Sequence, residues 1–425
     1  MAFNTLCVLG LGYIGLPTAS TFATHGIKVI GVDTNPIIVE GLKLGQVHLF
    51  EPGLRELVES ATASGHFFVS PQPVEADAFI IAVPTPFKQG KKADMRYVIS
   101  AAESITPLLK KGNLVILEST SPPRTTVDLV APILEKSGLK AGLDFFLAYS
   151  PERVLPGQIL RELVENARVI GGVNQASSKA GMDLYSLFVK GEIYQTDATT
   201  AEMVKLMENT YRDINIAIAN EFARLADNFQ VDIWEAIGLA NKHPRVTVLN
   251  PGPGVGGHCI SVDPWFLVEA APNIANLIRT ARDINDTQPE YIVDFVNRRI
   301  GPLDGKKITV LGLAYKADVD DLRESPAIEV ARNLQKTGAV VTAYEPFNTT
   351  FTLDGINSAQ SFEESMACAE ALVLLVNHQQ FKDLDPEKVA LLTKARDVVD
   401  AVNGWDRIKW QKAGFDFFRS GDGKN

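Results

Sequence analysis

The chain has 425 residues, of which 46% are hydrophobic and 22% are charged. This composition is typical of a soluble globular protein and excludes a disordered or fibrous one. The length predicts two or three domains. The formal net charge of −10 at pH 7 disfavours nucleic acid as a partner, because a negative protein repels a phosphodiester backbone.

The cysteines and the apolar segments indicate the cellular compartment. Cys7, Cys259 and Cys368 are odd in number and far apart in the sequence, which favours a reducing compartment over a disulfide framework. The sequence shows no Cys or His spacing typical of a metal site. It also shows no signal-peptide pattern and no apolar run of the roughly 18 residues that a membrane span needs. We therefore expect a cytoplasmic protein without a metal or a membrane partner.

Short apolar runs alternate with helical patterns in the N-terminal part of the chain. The runs predict strands at TLCVLG (5–10), KVIGVD (28–33), AFIIAVP (78–84), LVILEST (114–120) and FFLAYSPE (145–152). Strands that alternate with helices are typical of a parallel, doubly wound sheet with right-handed crossovers. Ligands of such sheets bind at the carboxyl ends of the strands.

The pattern changes after this region. From Thr199 to Phe229 apolar residues recur at steps of three or four, which predicts one long helix that could connect domains and support a dimer. A Gly/Pro-rich stretch at 250–257 predicts a loop, and strand-like runs from Lys306 onward predict a second, smaller sheet. The expected fold is α/β, with two Rossmann-like doubly wound parallel sheets joined by a central helical segment. The expected domains are 1–198, 199–300 and 301–425.

A glycine pattern follows the first predicted strand. Gly10, Gly12 and Gly15 form GxGxxG, and Asp33 ends the second strand. Such glycines let the backbone and a helix N-terminus approach a pyrophosphate, while the carboxylate accepts the adenosine ribose hydroxyls. The pattern predicts NAD and disfavours NADP. An ordinary structural turn is the alternative, which the agreement of strand, turn, helix and Asp33 makes less favoured.

Five polar residues are candidates for chemistry. Cys259 follows the Gly/Pro-rich loop, four residues before Asp263, where a thiol could attack an aldehyde carbonyl, although a cysteine after glycines is more often structural. Lys205 and Asn209 lie one helical turn apart and could stabilise an oxyanion, unless they form a solvated polar face. Glu152 is a candidate general base or, alternatively, a paired structural carboxylate.

Six motifs stand in order along nearly the whole chain. They are GLGYIGLP (10–17), AVPTPF (82–87), SPERVLPG (150–157), EMVKLMENTYRDINIAIANE (202–221), GPGVGGHCISVDP (252–264) and GLAYKADVDDLRESPA (312–327). Together they resemble the UDP-glucose/UDP-mannose dehydrogenase family. The resemblance implies an N-terminal NAD-binding Rossmann domain, a central helical segment that forms a homodimer, and a C-terminal Rossmann-like domain that binds UDP.

The resemblance also implies a reaction. It is the NAD-dependent, four-electron oxidation of the C6 hydroxymethyl of a UDP-sugar to a carboxylate, through a thiohemiacetal and a thioester on Cys259. VPTPF, PERVLPGQ, HPRV (243–246) and PGPGVGGHC are most similar to members that act on UDP-N-acetyl-D-mannosamine, with UDP-N-acetylglucosamine and UDP-glucose as alternatives. Further alternatives are a two-electron dehydrogenase of the hydroxyisobutyrate or 6-phosphogluconate type, which needs no cysteine, and an inactive nucleotide-sugar-binding protein.

The family's residue roles carry over to matching positions. Lys205 and Asn209 would stabilise the oxyanion, Asp263 would be an acid/base partner or order water, and Glu152 and Thr120 would position water and protons. The implied cofactor contacts are Gly10, Gly12, Tyr13, Ile14, Gly15, Asp33, Pro84, Thr85, Thr120 and Arg323. The implied substrate contacts are Glu152, Arg153, Val154, Lys205, Asn209, His243, Arg245, Gly256 and Lys316. One departure is Pro122-Pro123-Arg124, where the family commonly has a proline, a small apolar residue and a glycine, so the turn beyond Thr120 is expected to differ.

Overall fold

The structure is a computed structural model that describes residues 3–88, 90–257 and 259–423. It divides into two compact units, Met1–Glu208 with Glu269–Pro272, and Asn209–Val268 with Asn273–Asn425. Each unit contains one large sheet. The predicted fold class, two α/β sheets with a helical region between them in the sequence, is confirmed.

The first unit is an α/β layer structure. Its strands are β1 (Thr5–Leu9), β2 (Lys28–Val32), β3 (Phe67–Ser70), β4 (Ala78–Ile81), β5 (Phe87–Lys88), β6 (Lys92–Ala93), β7 (Leu114–Leu117), β8 (Phe146–Tyr149), β9 (Arg168–Gly172) and β10 (Ile193–Asp197). Its helices are α1 (Gly15–Thr24), α2 (Pro36–Lys43), α3 (Leu54–Ala63), α4 (Arg96–Ile105), α5 (Ala131–Leu134), α6 (Ile159–Glu165) and α7 (Gln175–Tyr185). The main sheet has the order β10-β9-β8-β7-β4-β1-β2-β3, and β5 pairs with β6 as a separate hairpin.

The central strands of this sheet are the ones that the apolar runs predict. β4 and β7 are buried at every residue, because helices cover both faces of a parallel sheet. The strands end earlier than the runs suggest: β7 stops at Leu117, since the N–H groups of Glu118 and Ser119 both donate to the carbonyl of Ile81. Ladder pairing is parallel except between β8 and β9, where Ala148 opposes Gly172 in an antiparallel pair.

One long helix, α8 (Ala198–Phe229), follows β10. The chain passes from the first unit to the second within it. The side chain of Asp197 accepts the N–H of Thr200, which is the bonding pattern of a helix N-cap. Gln230, directly after the last helical residue, has φ +56°, a left-handed conformation that ends helices. The helix predicted from Thr199 to Phe229 is therefore confirmed.

The second unit contains the smaller sheet that the C-terminal runs predict. Its strands are β11 (Lys307–Leu311), β12 (Val340–Tyr344), β13 (Asn357–Ser358), β14 (Ala371–Leu374), β15 (Asp397–Asp400) and β16 (Asp416–Arg419), in the order β13-β12-β11-β14-β15-β16, all parallel. Its further helices are α9 (Ile233–Ala240), α10 (Asp263–Ala270, of which the last two residues belong to the first unit), α11 (Asn276–Asp286), α12 (Gln288–Ile300), α13 (Pro326–Lys336), α14 (Phe362–Met366), α15 (Gln379–Lys382), α16 (Pro386–Leu392) and α17 (Arg407–Lys412). Within the described ranges, no helix combines the length and the apolarity that crossing a membrane requires.

Candidate active site

The glycine-rich turn after β1 has the geometry that a dinucleotide needs. Gly10 has φ +93°, and a Cβ there would lie 2.5 Å from the carbonyl oxygen of Ala82. A Cβ on Gly15 would lie 1.8 Å from the carbonyl oxygen of Gly10, so neither position accepts a side chain. Gly12, in contrast, faces open space, since a Cβ there would meet no atom within 4 Å. The open face at Gly12 and the N-terminus of α1 leave room for a pyrophosphate.

Asp33 supports this turn from the end of β2. One carboxylate oxygen accepts the N–H of Leu11 at 3.0 Å, and the other accepts the N–H of Asn35 at 2.9 Å. Each carboxylate oxygen has a further acceptor position, and the side chain is only partly buried. Asp33 can therefore hold the turn and still accept ribose hydroxyls, so the residues present fit NAD.

Two further strand ends are joined beside this turn. The hydroxyl of Ser119, after β7, donates to the carbonyl of Val83, after β4, at 2.7 Å. This bond holds together the loops that carry Pro84, Thr85 and Thr120. Thr85 and Thr120 are half-buried, while Pro84 is exposed, so both loops present atoms to a ligand at the carboxyl edge of the sheet.

The turn beyond Thr120 keeps a glycine-like shape despite its sequence. Arg124 has φ +75°, a conformation that glycine adopts without strain. The buried carboxylate of Glu202, on α8, accepts the N–H of Arg124 at 2.5 Å and the N–H and hydroxyl of Thr126 at 2.7 and 2.6 Å. These bonds explain how Arg124 is held in a left-handed conformation.

Glu152 follows β8 and is paired inside the protein. Its side chain is 8% exposed and accepts from Arg168 Nη2 at 2.6 Å. The other terminal nitrogen of Arg168 donates to Glu118 at 3.3 Å and to the Ser150 hydroxyl at 3.1 Å. The hydroxyl of Tyr185 donates to the same oxygen of Glu118. Burial raises the pKa of Glu118 to about 7, with Arg168 opposing and Glu152 adding to the rise.

The two candidate polar residues of α8 are buried rather than solvated. Lys205 is 9% exposed and Asn209, one turn further, is 8% exposed. Asn209 donates through its side-chain amide to Asp263 at 2.6 Å. Asp263 is 2% exposed and is the first residue of α10, where the helix dipole stabilises a negative charge. The alternative of a solvated polar face is therefore wrong for this pair.

Cys259 lies in a tight turn that leads into α10. Its carbonyl accepts the N–H of Val262 at 3.0 Å and that of Asp263 at 2.8 Å, so Cys259 precedes the carboxylate by one turn. Its side chain is half-buried. The ring of Tyr315 packs against Gly257, since a Cβ on this glycine would lie 2.9 Å from it. Burial raises the pKa of Tyr315, and the charges of Asp321 and Cys259 raise it further, which indicates that the phenol is near the thiol.

Comparisons with known proteins agree with this geometry along the whole chain. The NAD binding domain of the UDP-glucose/GDP-mannose dehydrogenase family matches residues 4–189, its central domain matches residues 199–287, and its UDP binding domain matches residues 309–407. The chain belongs to the UDP-glucose/GDP-mannose dehydrogenase family. The resemblance is confirmed, although the family's name pairs mannose with GDP and not with UDP. The prediction of NAD as the cofactor is confirmed with it.

Relatives within this dehydrogenase family are similar over nearly their full length. The UDP-N-acetyl-D-mannosamine dehydrogenase of Methanocaldococcus jannaschii is 48% identical, covering 99% of this chain and 97% of the relative. The NDP-N-acetyl-D-galactosaminuronic acid dehydrogenase of Ralstonia solanacearum is 46% identical, covering 95% and 96%. The solved structure of a UDP-D-ManNAc dehydrogenase from Pyrococcus horikoshii superposes with a TM-score of 0.92 at 39% identity, covering 99% of this chain and 100% of that one.

The remaining predicted substrate residues lie in different surroundings. Arg153 is engaged within the first unit, since its guanidinium pairs with Glu208 at 2.5 Å and donates to the carbonyl of Ala167 at 2.9 Å. Val154 packs against the apolar core of the same unit. His243 and Arg245 are exposed in the segment after α9.

The turn after β11 holds the other predicted contacts of this dehydrogenase. A Cβ on Gly256 would lie 2.6 Å from the carbonyl oxygen of Glu324, so this glycine is required by close packing. Lys316 is exposed. Arg323 is exposed and pairs with Asp321 at 2.6 Å. The backbone between β11 and α13 thus packs closely against the Gly/Pro-rich loop at Gly256.

The second sheet has a glycine turn like that of the first, but the carboxylate beside this turn is buried. Gly312 has φ +89°, and Glu345, at the end of β12, accepts the N–H groups of Leu313 and Ala314 at 2.7 and 2.9 Å. The same Glu345 oxygen lies 3.1 Å from Nε2 of His378, and neither side chain is exposed. The fully buried Glu345 carboxylate is therefore not accessible to ribose hydroxyls, unlike the partly buried Asp33 of the first sheet.

Two polar networks were not predicted from the sequence. The first is Arg168 with Glu118; its only signal is a charged residue at the start of a strand that is otherwise apolar. The second supports the Gly/Pro-rich loop: Asn220 on α8 accepts the N–H of Gly252 at 2.9 Å and donates to Asn285 on α11 at 2.9 Å. Neither partner is near the other in the sequence, so no local pattern reveals these contacts.

Proposed function

We propose that this dehydrogenase oxidises C6 of UDP-N-acetyl-D-mannosamine to the carboxylate through a thioester on Cys259. The observation that carries the proposal is the cluster of Cys259 with the buried Asn209–Asp263 pair, since a simple two-electron dehydrogenase has no need of a nucleophile there. The names of the relatives support the acetamido sugar. The alternative substrates are UDP-N-acetylglucosamine, UDP-N-acetylgalactosamine and UDP-glucose.

The balance of the reaction requires covalent capture. The alcohol loses two hydrides, water supplies the second carboxylate oxygen, and three protons are released. NAD supplies the hydride acceptor, one molecule for each oxidation. The aldehyde formed by the first oxidation has to be retained for the second. Addition of the Cys259 sulfur to the carbonyl carbon gives a thiohemiacetal, and loss of its hydride gives the thioester.

The chain's own residues have distinct roles in this mechanism. Lys205 and Asn209 stabilise the negative charge that develops on the C6 oxygen. Asp263 orients the Asn209 amide through the 2.6 Å bond and orders water or exchanges protons near Cys259. Glu152 accepts a proton from the water that attacks the thioester carbonyl, and the C–S electron pair leaves with Cys259. Thr120 helps to position this water.

Binding is assigned to residues from both ends of the chain. In this proposal NAD is held by Gly10, Gly12, Tyr13, Ile14, Gly15, Asp33, Pro84, Thr85, Thr120 and Arg323. The substrate is held by Glu152, Arg153, Val154, Lys205, Asn209, His243, Arg245, Gly256 and Lys316. The exposed side chains of Pro84, Lys316 and Arg245 support these assignments, because ligand contacts require accessible atoms.

The stoichiometry of NADH tests the reaction. Wild-type protein should form two NADH per UDP-N-acetyl-D-mannosamine, with the acid as product by mass spectrometry. Cys259→Ser should bind NAD normally and form no acid, while Cys368→Ser, which changes an exposed thiol, should behave as wild type. One NADH per sugar, or normal acid production by Cys259→Ser, contradicts the thioester mechanism. Faster oxidation of another sugar in a panel of the four UDP-sugars contradicts the substrate assignment alone.

We further propose a homodimer formed through α8. Apolar side chains lie exposed along this helix, with Met207 55%, Tyr211 70% and Phe229 68% exposed. Exposed apolar stripes of this kind usually mark an interface. Light scattering should show a dimer that Tyr211→Glu dissociates, whereas Tyr194→Glu, at an exposed tyrosine of β10, should leave it intact. A wild-type monomer contradicts the proposal.

The domain bounds and the compartment are proposals as well. We propose domains at 1–198, 199–300 and 301–425, supported by the three family segments, each of which falls within one of these ranges. We propose a cytoplasmic location, supported by three cysteines that form no disulfide in the described ranges. Cell fractionation with an antibody to the native chain tests the location.

A further inference from the structure

We propose that Arg168 is a positioning residue for Glu152, and that the charge of Glu118 modulates the ion pair between Arg168 and Glu152. The inference rests on the proposed function, in which Glu152 accepts a proton from the attacking water. It concerns a buried group of three charged side chains, Glu152, Arg168 and Glu118. All three side chains are 8% exposed or less.

The guanidinium of Arg168 fixes the orientation of Glu152. Nη2 donates to one Glu152 oxygen at 2.6 Å, and the N–H of Arg153 donates to the other at 2.8 Å. Arg168 itself is held by the Ser150 hydroxyl at 3.1 Å and by the ring of Tyr185, whose centroid lies 4.2 Å from the guanidinium carbon. Because its partners come from three separate elements of the first unit, Arg168 cannot rotate without breaking several contacts.

Glu118 competes with Glu152 for the same positive charge. It accepts from Arg168 Nη1 at 3.3 Å, a longer contact than that of Glu152. Its second oxygen, Oε2, is buried and has no hydrogen-bond partner in the described part of the chain. Two carboxylates face one guanidinium, so the group has an excess negative charge when both are ionised.

The ionisable side chains that face Glu152 come from three elements in the described part of the first unit. They are Arg168 at the start of β9, Glu118 after β7 and the phenol of Tyr185 at the end of α7. The guanidinium of Arg153 is turned away to Glu208. Burial raises the pKa of Glu118 to about 7, whereas the pKa of Tyr185 is raised well above its ordinary range, so the phenol stays neutral when Glu118 titrates.

The ionisation of Glu118 therefore changes Glu152. When Glu118 is protonated, the positive charge of Arg168 acts on the Glu152 carboxylate alone. When Glu118 loses its proton, it shares the charge of Arg168 and places a second negative charge beside the Glu152 carboxylate, which weakens the ion pair between Arg168 and Glu152. Proton transfer from water to Glu152, and with it thioester hydrolysis, should thus accelerate as pH rises through about 7.

Two conservative variants test this inference. Glu118→Gln keeps an oxygen that can accept from Arg168 but removes the second negative charge, and Arg168→Lys keeps the positive charge but loses the two-sided donor geometry. Arg161→Gln, an exposed arginine of α6 that pairs with Glu165, is the matched control. The readouts are the pH profile of kcat, KM for UDP-N-acetyl-D-mannosamine, and the fraction of Cys259 adduct in acid-quenched samples by intact-protein mass spectrometry.

The expected results differ between the variants. Wild type and Arg161→Gln should show a rise in kcat through about pH 7. Glu118→Gln should lack this rise and should accumulate the adduct at pH 8. Arg168→Lys should lose kcat by on the order of 10- to 100-fold, with KM within about twofold, because a misplaced base slows chemistry more than binding. NAD affinity and circular dichroism establish that both variants are folded.

Two outcomes would overturn the inference. One is a wild-type pH profile and a wild-type adduct level in Glu118→Gln. The other is an Arg168→Lys variant that is folded and fully active. Failure of the proposed function itself is recognised separately: wild-type protein would then form neither adduct nor acid with any UDP-sugar, which overturns both proposals.

Discussion

The buried ion pair between Arg282 on α11 and Asp213 on α8 allows a quantitative prediction for the second unit. Nη1 of Arg282 lies 2.5 Å from Oδ1 of Asp213, and the two side chains are 1% and 0% exposed. Oδ2 of Asp213 has no hydrogen-bond partner in the described part of the chain. Arg282→Met places a long apolar side chain at this position and leaves the Asp213 carboxylate without its cation.

The expected cost follows from the remaining contacts. Removing one partner of a buried ion pair costs about 3–5 kcal/mol, mainly because the remaining charge stays buried. Asn285 still donates to Asp213 at 2.8 Å, and burial already raises the pKa of Asp213, so the orphaned carboxyl can take up a proton. We therefore expect Arg282→Met to lower the free energy of unfolding by about 3 kcal/mol at pH 7 and by less at pH 5. Adding Asp213→Asn removes the buried charge and should recover about half of the loss.

Tryptophan fluorescence during urea unfolding measures this effect in the right unit. All four tryptophans, Trp234, Trp265, Trp405 and Trp410, belong to the second unit. Wild type should be the most stable, the double variant less stable, and Arg282→Met the least stable. The reasoning is refuted if Arg282→Met costs less than about 1 kcal/mol, or if the double variant is less stable than Arg282→Met, because the uncompensated charge would then not be the main cause of the destabilisation.

Further predictions concern the first unit. Asp33→Ala should weaken NAD binding by on the order of 10- to 100-fold in calorimetry, since charged hydrogen bonds contribute about 1.5–3 kcal/mol; unchanged affinity would exclude a ribose contact. Gly15→Ala should lower the melting temperature sharply because of its clash with Gly10, whereas Gly12→Ala should melt as wild type does and lose NAD affinity. Because the folded-state pKa of Glu118 is raised, its contribution to stability should fall as pH increases from about 4.5 to about 7, and the difference in melting temperature between pH 5 and pH 8 should be smaller in Glu118→Gln than in wild type.

Much of the backbone could be predicted from local patterns. The runs of β4 and β7 are apolar at every position, and such runs are buried in a parallel sheet whatever surrounds them. The period of α8 likewise predicts its length. Three strands of the first sheet, β3, β9 and β10, were not predicted. β10 is mostly exposed and polar, and β9 begins with Arg168, so neither has the pattern of a buried strand.

What the sequence alone determined is the family, the cofactor turn and the order of the candidate residues, because each of these is carried by neighbours along the chain. The tertiary structure decided which polar residues meet. Asn209 and Asp263 are 54 positions apart, and Glu118 and Arg168 are 50 apart. Local spacing is equally compatible with a buried, paired side chain and with a solvated lysine or a glutamate that has no charged partner. Only folding removes water from these side chains, and a buried charge then requires the partner that the structure shows.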